Sequence, residues 1–488
     1  MSKYPSRREM LYYTGGLLAA TAAPLRTIRA QTPPAAISPI MTRLSTFMSL
    51  AAAAPLPAEV VEKTKHMILD TLAAMISGSE LPPGKFAINF ARAYKGDRVA
   101  TVAGSNVLCG PIEAALANGM LAHSDETDDT HPPSQSHPGC ATVPAALAVG
   151  ERFNVDGRQF LRSVTLGYDV GTRVTATLGR LQYMFDSHRS THSIAGTFCA
   201  AAAAGCAASL NARQMRWLLS YTAQQASGTA AWQRDTDHIE KAFDFAGMPA
   251  RNGVTSALLV QAGGTGVEDI FSGADNFFDA FLPKNDPSMV IDKLGERYEI
   301  TRTNIKKWTV GSPIQAPLDA LEILLKRHRF QTDQVKQIVV RTATNEAKIV
   351  DNREIPDICL QHMIAVMLID KTASFKSAHD TARMKDPQIL RQRVKVQLVG
   401  DAELEKLMPQ RVGIVEVTLN DGMRFSERVD KVRGTFENPM PRDEVVAKAR
   451  DLITPVLGAA TFTKLSEKIF DIENVKSVLE LRPLLQKS

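Results

Sequence analysis

The sequence predicts a mainly α protein: a large all-helical domain with an inserted, smaller α+β lid domain. Apolar residues recur at three- and four-residue spacing through most of the chain up to Thr303, the pattern of helices that bury one face. Strand-type runs of β-branched residues are confined to Val335–Val429, and from Pro441 the helical spacing resumes. The expected division is a leader over 1–30, a linker over 31–40, a helical domain over 41–305, the lid over 306–440 and a helical return over 441–488.

At the N-terminus, Ser6-Arg7-Arg8-Glu9-Met10-Leu11 stands before an apolar run from Leu11 to Pro24, and Ile28-Arg29-Ala30 looks like a cleavage site. A basic start, a short apolar stretch and a small residue at the cut describe an export signal. The adjacent arginines suggest the twin-arginine route. The expectation is a periplasmic protein, or a cytoplasmic one if the signal does not function. The apolar run is shorter than the roughly 20 residues that cross a bilayer, so no stable membrane anchor is expected. Gln31–Pro39 is a Pro- and Ala-rich linker.

Within Glu59–Ser77, Val60, Thr64, Met67, Leu72 and Met75 share one helical face, with Pro57 before and Gly78 after as start and stop signals. Ile112–Leu121 is a second helical run. Ile194–Leu210 is so rich in Ala and Gly that it is expected to be a central helix packed closely between neighbours. Val335–Arg341, Arg393–Leu398 and Gly413–Leu419 read as strands, the last entering a hairpin through Asn420-Asp421-Gly422. Leu318–His328 and Leu360–Ile369 are helices set among them.

A composition of 44% hydrophobic and 22% charged residues excludes collagen-like, mainly disordered and multi-span membrane proteins. Of the net charge of +5, the leader's Lys3, Arg7, Arg8, Arg26 and Arg29 against Glu9 supply all but +1. The body has no concentrated basic balance, so no nucleic-acid partner is expected. Cys109, Cys140, Cys199, Cys206 and Cys359 lack C-x-x-C spacing and sit mostly in apolar surroundings, as small hydrophobes do.

The sequence has no G-x-G-x-x-G after a strand, no H-E-x-x-H and no G-x-S-x-G. Gly78–Lys85 resembles a phosphate loop but puts Phe86 where a Mg²⁺-binding hydroxyl belongs. The densest polar cluster is His123-Ser-Asp125-Glu126-Thr127-Asp128-Asp129-Thr130-His131 continuing to His137-Pro138-Gly139. It admits three readings: a solvated acidic loop, a metal site of carboxylates and imidazoles, or acid–base chemistry on an anionic substrate. His188 and His192, four apart, could share a face and bind a metal, or merely cap. At a helix start, the dipole would depress the pKa of His192. Lys241 beside Phe243 and Phe245 is expected to be partly desolvated, which would make it a usable base. Arg251 follows it, and Lys306 stands at the domain junction, a common place for a cleft.

Together these segments resemble the MmgE/PrpD family, whose members include 2-methylcitrate dehydratase, cis-aconitate decarboxylase and iminodisuccinate epimerase. The motifs are H-x-x-E-x-D-D-T ending in H-P-G, then H-S-I-A-G-T, E-K-A-F-D-F-A-G-M-P-A-R-N-G and K-K-W, with the hairpin near 413–429. The resemblance covers nearly the whole chain after Thr42 and implies a helical domain with an α+β lid, a homodimer, and neither cofactor nor metal. It places the catalytic set on Glu126, His137, His192 (His188 as the alternative), Lys241 and Lys306. One extra residue precedes Gly247 compared with some members. Substrate-binding positions fall on Asp129, Thr130, Arg251 and His362, the last where decarboxylase members place a Tyr.

The function so implied is removal of a proton next to a carboxylate of a small di- or tricarboxylate. Lys306, Lys241 and Arg251 would stabilise the developing charge. His137 or Lys241 would be the base, and His192 or Glu126 the second acid. A dehydratase-type lyase is expected, with an epimerase or a non-catalytic exported carboxylate-binding protein as alternatives and a metal-dependent hydrolase as a third class. Glu126 and His362 together are read as arguing against simple cis-aconitate decarboxylation.

Overall fold

A computed structural model describes residues 36–282 and 286–487, so the expected leader and the start of the linker lie outside the described residues. The first helix, α1 (Pro39–Leu50), starts inside the expected linker because Ser38 caps it and Pro39 takes its first turn. There follow α2 (Ala58–Gly78), α3 (Pro82–Ala93), the short ladder β1 (Ala100–Thr101) with β2 (Leu108–Cys109), α4 (Pro111–Ala122), α5 (Gly139–Phe153), α6 (Gly157–Thr177) and α7 (Arg180–Ser187). Then come α8 (Thr191–Ala207), α9 (Ala212–Gln225), α10 (Ile239–Ala242), α11 (Met248–Gln261) and α12 (Phe277–Phe281). A ladder of two residues cannot show alternation, which is why β1 and β2 were not legible.

Helix α8 is the hub. Every residue from Ser193 to Ala207 is buried, and α5, α6, α9 and α11 pack around it. Small side chains allow this approach. A Cβ on Gly167 of α6 would lie 2.8 Å from the Cys199 carbonyl, and one on Gly196 would lie 2.9 Å from Pro249 Cβ.

The second part opens with α13 (Ser312–His328), then β3 (Val335–Ala343), α14 (Thr344–Val350), α15 (Leu360–Asp370), α16 (Phe375–His379), α17 (Pro387–Arg393), β4 (Val396–Asp401), α18 (Ala402–Glu405), β5 (Gly413–Leu419) and β6 (Arg424–Val429). The sheet order is β4-β3-β5-β6. β3 runs parallel to β4 and antiparallel to β5, with Ile338 opposite both Val396 and Val417. Val415, Val417 and Leu419 alternate inward against α13. The first residues of the expected strand at Arg393 end α17 instead. Helices α19 (Arg442–Leu457), α20 (Ala459–Phe470) and α21 (Arg482–Leu485) close the chain.

Two cores result. One gathers buried residues from Met41 to Ile305 together with Met440 to Leu485, and the other those from Trp308 to Val432. All five cysteines are free and buried. Among the described residues no helix is long and apolar enough to cross a membrane.

Candidate active site

The segment joining α4 to α5 is not a solvated loop. His123, Asp125, Glu126, Asp128, Asp129, His131 and His137 are each at most 8% exposed. Burying so many ionisable groups is costly unless each finds a partner, and the partners come from remote parts of the chain.

Glu126 is held by two lysines. Lys241 Nζ of α10 pairs with Oε1. Lys306 Nζ lies 3.5 Å from Oε2 and donates to the Glu126 carbonyl at 2.7 Å. Lys306 reaches the loop because Thr130 and Asn304 form a two-way backbone bridge, N–H to carbonyl at 3.1 and 2.8 Å. Burial pushes the Glu126 carboxyl up, but Lys241 and then Lys306 outweigh it and hold the group well below its usual range.

Asp128 serves two imidazoles. Its Oδ1 is 3.0 Å from His137 Nδ1 and its Oδ2 3.0 Å from His123 Nδ1. A carboxylate on Nδ1 selects the tautomer in which Nδ1 carries the proton, leaving His137 Nε2 as an acceptor. Burial dominates His137 and lowers it to about 4, against the opposing pull of Asp128. The ring is therefore neutral near pH 7.

The imidazoles gather around Phe245. His192 stacks on it with centroids 3.8 Å apart, His123 stacks at 4.5 Å, and His137 lies at 5.4 Å. Phe245 sits in a π-helical turn, Phe243–Gly247, where the chain carries its extra residue before Gly247. A π-turn is how a helix absorbs one added residue, and here it aims Phe245 between two histidines. His192 stands in the first turn of α8. Burial first, then His137 and His123, hold it well below 6.5, and its Nδ1 is buried without a partner.

Two further acids complete the segment. Asp125 Oδ2 meets His379 Nε2 of α16 at 2.8 Å, and Asp357 Oδ2 is 3.9 Å from the same nitrogen. Asp129 is bonded by Tyr168 OH on Oδ2 and by the Gly139 N–H at 3.1 Å on Oδ1. Burial and neighbouring Asp128 raise it to about 7.

The structure thus brings together Glu126, His137, His192, Lys241 and Lys306, with Thr130 beside Lys306 in the wall of the adjoining cavity. Arg251 donates to Asn252 Oδ1 at 3.0 Å, with its guanidinium over the Phe243 ring. His362 is fully buried in α15 with both ring nitrogens unpartnered. The charges acting on it are those of Arg393, Arg383 and Asp380, so it gives no argument against decarboxylation. Asp129 has both oxygens occupied beneath the loop and is not open to a ligand. His188 ends α7 and is exposed, so it shares no helix face with His192. Lys241 is engaged by Glu126, and Glu126 is held ionised, a poor acid.

Asp128, His123, His238, His379 and Phe245 were missed. Each works through a contact made only when the segment folds back on itself or meets the second core. His123, Asp128 and Phe245 stand in the motifs and were legible as residues, but not their contacts.

A cavity of about 280 Å³ adjoins the cluster at the junction of the two cores, walled by Thr130, Asn304 and Lys306 on one side and Arg411, Arg433 and Phe436 on the other. Arg411 is paired with Glu346 and Arg433 with Glu444, which leaves Lys306 as the wall nearest the chemistry. Among the described residues two donor sets are compact enough for a cation, His123–Asp128–Cys140 and His123–Glu126–His238. Glu126 already carries two ammonium groups, and Lys306 Nζ is 4.0 Å from Asp128, so both sets fit an anionic substrate better than a metal.

The MmgE/PrpD N-terminal domain model matches residues 42–290 and the C-terminal domain model residues 308–471. A cis-aconitate decarboxylase-like protein of Aspergillus oryzae is 25% identical over 470 residues, covering 88% of this chain and 94% of that protein. The cis-aconitate decarboxylase of Homo sapiens is 26% identical over 449 residues, covering 88% and 90%. That of Aspergillus terreus is 23% identical over 462 residues, covering 88% and 92%.

Proposed function

Because the chain belongs to the MmgE/PrpD family, we propose that it is a cofactor-independent lyase acting on a small di- or tricarboxylate. The observation that carries this reading is the meeting of Lys241 and Lys306 on Glu126, beside the His137–Asp128 pair. A carbon next to a carboxylate is a weak acid, and the charge that builds when it ionises needs cations already in place. Lys306, between the cavity and Glu126, is the first of these and Lys241 the second.

His137 is the proposed base. Its Nε2 lone pair faces away from Asp128, and a neutral ring near pH 7 can take a proton without first losing one. Asp128 stabilises the imidazolium that results. His192 is neutral and supplies a hydrogen-bonding nitrogen rather than an acidic proton. In dehydration, the C–H proton passes to His137, its electron pair forms the double bond, and hydroxide leaves with a proton from the imidazolium or a lysine ammonium. In decarboxylation, the C–C bond breaks to release CO₂, its electron pair stays on carbon, and that carbanion takes a proton from a lysine ammonium, which water then reprotonates. The relatives named above favour this second reading.

The test is turnover of citrate, 2-methylcitrate, cis-aconitate, tartrate and iminodisuccinate, followed by NMR in D₂O. Loss of water or CO₂ supports the lyase. Deuterium exchange without net conversion points to an epimerase, and heat of binding without product points to a binding protein. Either result overturns the lyase. Homodimerisation and twin-arginine export are part of the proposal, tested by light scattering and by fractionation of an Arg7→Lys/Arg8→Lys double variant.

A further inference from the structure

His238 belongs to no part of the mechanism above, yet it carries two costs at once. Its φ is +66°, a left-handed conformation that Gly or Asn would take more cheaply. Its Nε2 is buried with no hydrogen-bond partner, although the residue keeps a partly exposed edge. Buried polar atoms in folded proteins are nearly always satisfied, and strain of this kind gathers at ligand-binding positions.

Its surroundings place the ring in the candidate site. A His238 nitrogen, a His123 nitrogen and a Glu126 carboxylate oxygen all lie within 4.8 Å of one another. The His238 and His123 rings are 5.2 Å apart. Lys241, one turn further along, pairs with that same Glu126. Burial, then Lys241 and His123, hold the imidazole neutral, down at about 3, so the ring adds no further positive charge. Glu126 is saturated by lysines and His137 Nδ1 by Asp128. The site's unused hydrogen-bonding capacity therefore rests with imidazole nitrogens; His123 and His238 both stand beside the lysine-held acid, and of the two His123 is fully buried while His238 keeps an exposed edge.

We propose that His238 is a substrate-contacting residue whose Nε2–H donates to a carboxylate oxygen of the polycarboxylate, on the group that Lys241 neutralises. The proposal rests on the functional reading above and adds to it a specificity-determining residue. The backbone is strained to place Nε2 there, and the bond left open in the free protein is made when substrate arrives.

The experiment compares wild type with His238→Phe, which keeps a ring without nitrogens, and His238→Gln, which can place an amide N–H near the same point. A hydrogen bond to a charged group corresponds to roughly a 10- to 100-fold change in binding. The expected result is a KM raised by that factor in His238→Phe, kcat within about threefold and partial recovery of KM in His238→Gln. Tm should hold in both variants, because no bond of the free protein is lost. A His238→Phe KM within twofold of wild type overturns the proposal, as does failure of both variants to fold. Calorimetry with cis-aconitate and citrate separates this from the function itself. Wild type that binds without turnover, with His238→Phe losing that affinity, removes the lyase and keeps His238. Wild type that neither binds nor turns over removes both.

Discussion

The contact between His379 and Asp125 joins α16 of the second core to the segment that carries Glu126, and its strength is set by pH. Burial alone would lower the His379 imidazole. The hydrogen bond and charge of Asp125, then the charge of Asp357 and the Phe375 carbonyl, outweigh it and raise the group to about 9. From an ordinary 6.5 to about 9, at about 1.4 kcal/mol per pH unit, the charged pair contributes on the order of 3 kcal/mol as an upper bound. A raised pKa means that this stability is complete below pH 6.5 and is lost as pH climbs through about 9. Lys63 runs the other way. Burial lowers it to about 8, so it adds stability as pH rises beyond that value, and a wild-type curve alone mixes two slopes. The perturbation is therefore His379→Gln, which keeps a hydrogen bond and removes the charge. Urea unfolding of both proteins at pH 6 and pH 10 should give a difference about 3 kcal/mol larger at pH 6, with equal m-values. A difference that stays constant across that range refutes a buried imidazolium at this junction.

Lys306→Ala should lower kcat/KM roughly 10²- to 10³-fold, and His137→Ala roughly 10²- to 10⁴-fold, each with an unchanged circular dichroism spectrum. Full activity in both rejects the site. With His137 as base, kcat/KM should fall only as pH drops through about 4, since the protonated ring cannot accept a proton; an acid limb near 6.5 would contradict the assignment. Gly139→Ala would put a methyl 2.6 Å from Asp129 Oδ2 and 2.8 Å from Thr71 Oγ1, and overpacking of that kind costs about 1–3 kcal/mol. Its Tm should fall by several degrees, and an unchanged Tm would mean that the site relaxes freely.

Periodicity is a local property, and the elements it governs were legible. Val60 to Met75 gave α2, the Ala- and Gly-rich run gave the central α8, and the Asp-Gly turn gave the β5–β6 hairpin. The catalytic candidates were legible through motif resemblance, but their partners were not. Nothing local ties His379 to Asp125 or Tyr168 to Asp129. The contacts of Arg251 with Asn252 and the full burial of His362 were not legible either, since a residue type near a motif says nothing about where its helix points the side chain. The extra residue before Gly247 was visible, but that it would become a π-turn presenting Phe245 to His192 and His123 depended on the surrounding helices.

The acids of the α4–α5 segment explain one another. Asp125 has His379, Glu126 has Lys241 and Lys306, and Asp128 has His137 and His123. Asp129 has no cation at bonding distance, only a phenol and a backbone N–H, and it is the one of the four pushed up to about 7. Ion pairing therefore separates three carboxylates that stay charged from one that can hold a proton. The counter-charges come from α10, from the strand-like bridge at Asn304 and from α16 of the second core. A chain lacking any one of these elements would leave a buried acid unpaired, at a cost of several kcal/mol. The arrangement that positions Lys306 and His137 for chemistry is thus the same one that makes burial of this acidic segment tolerable.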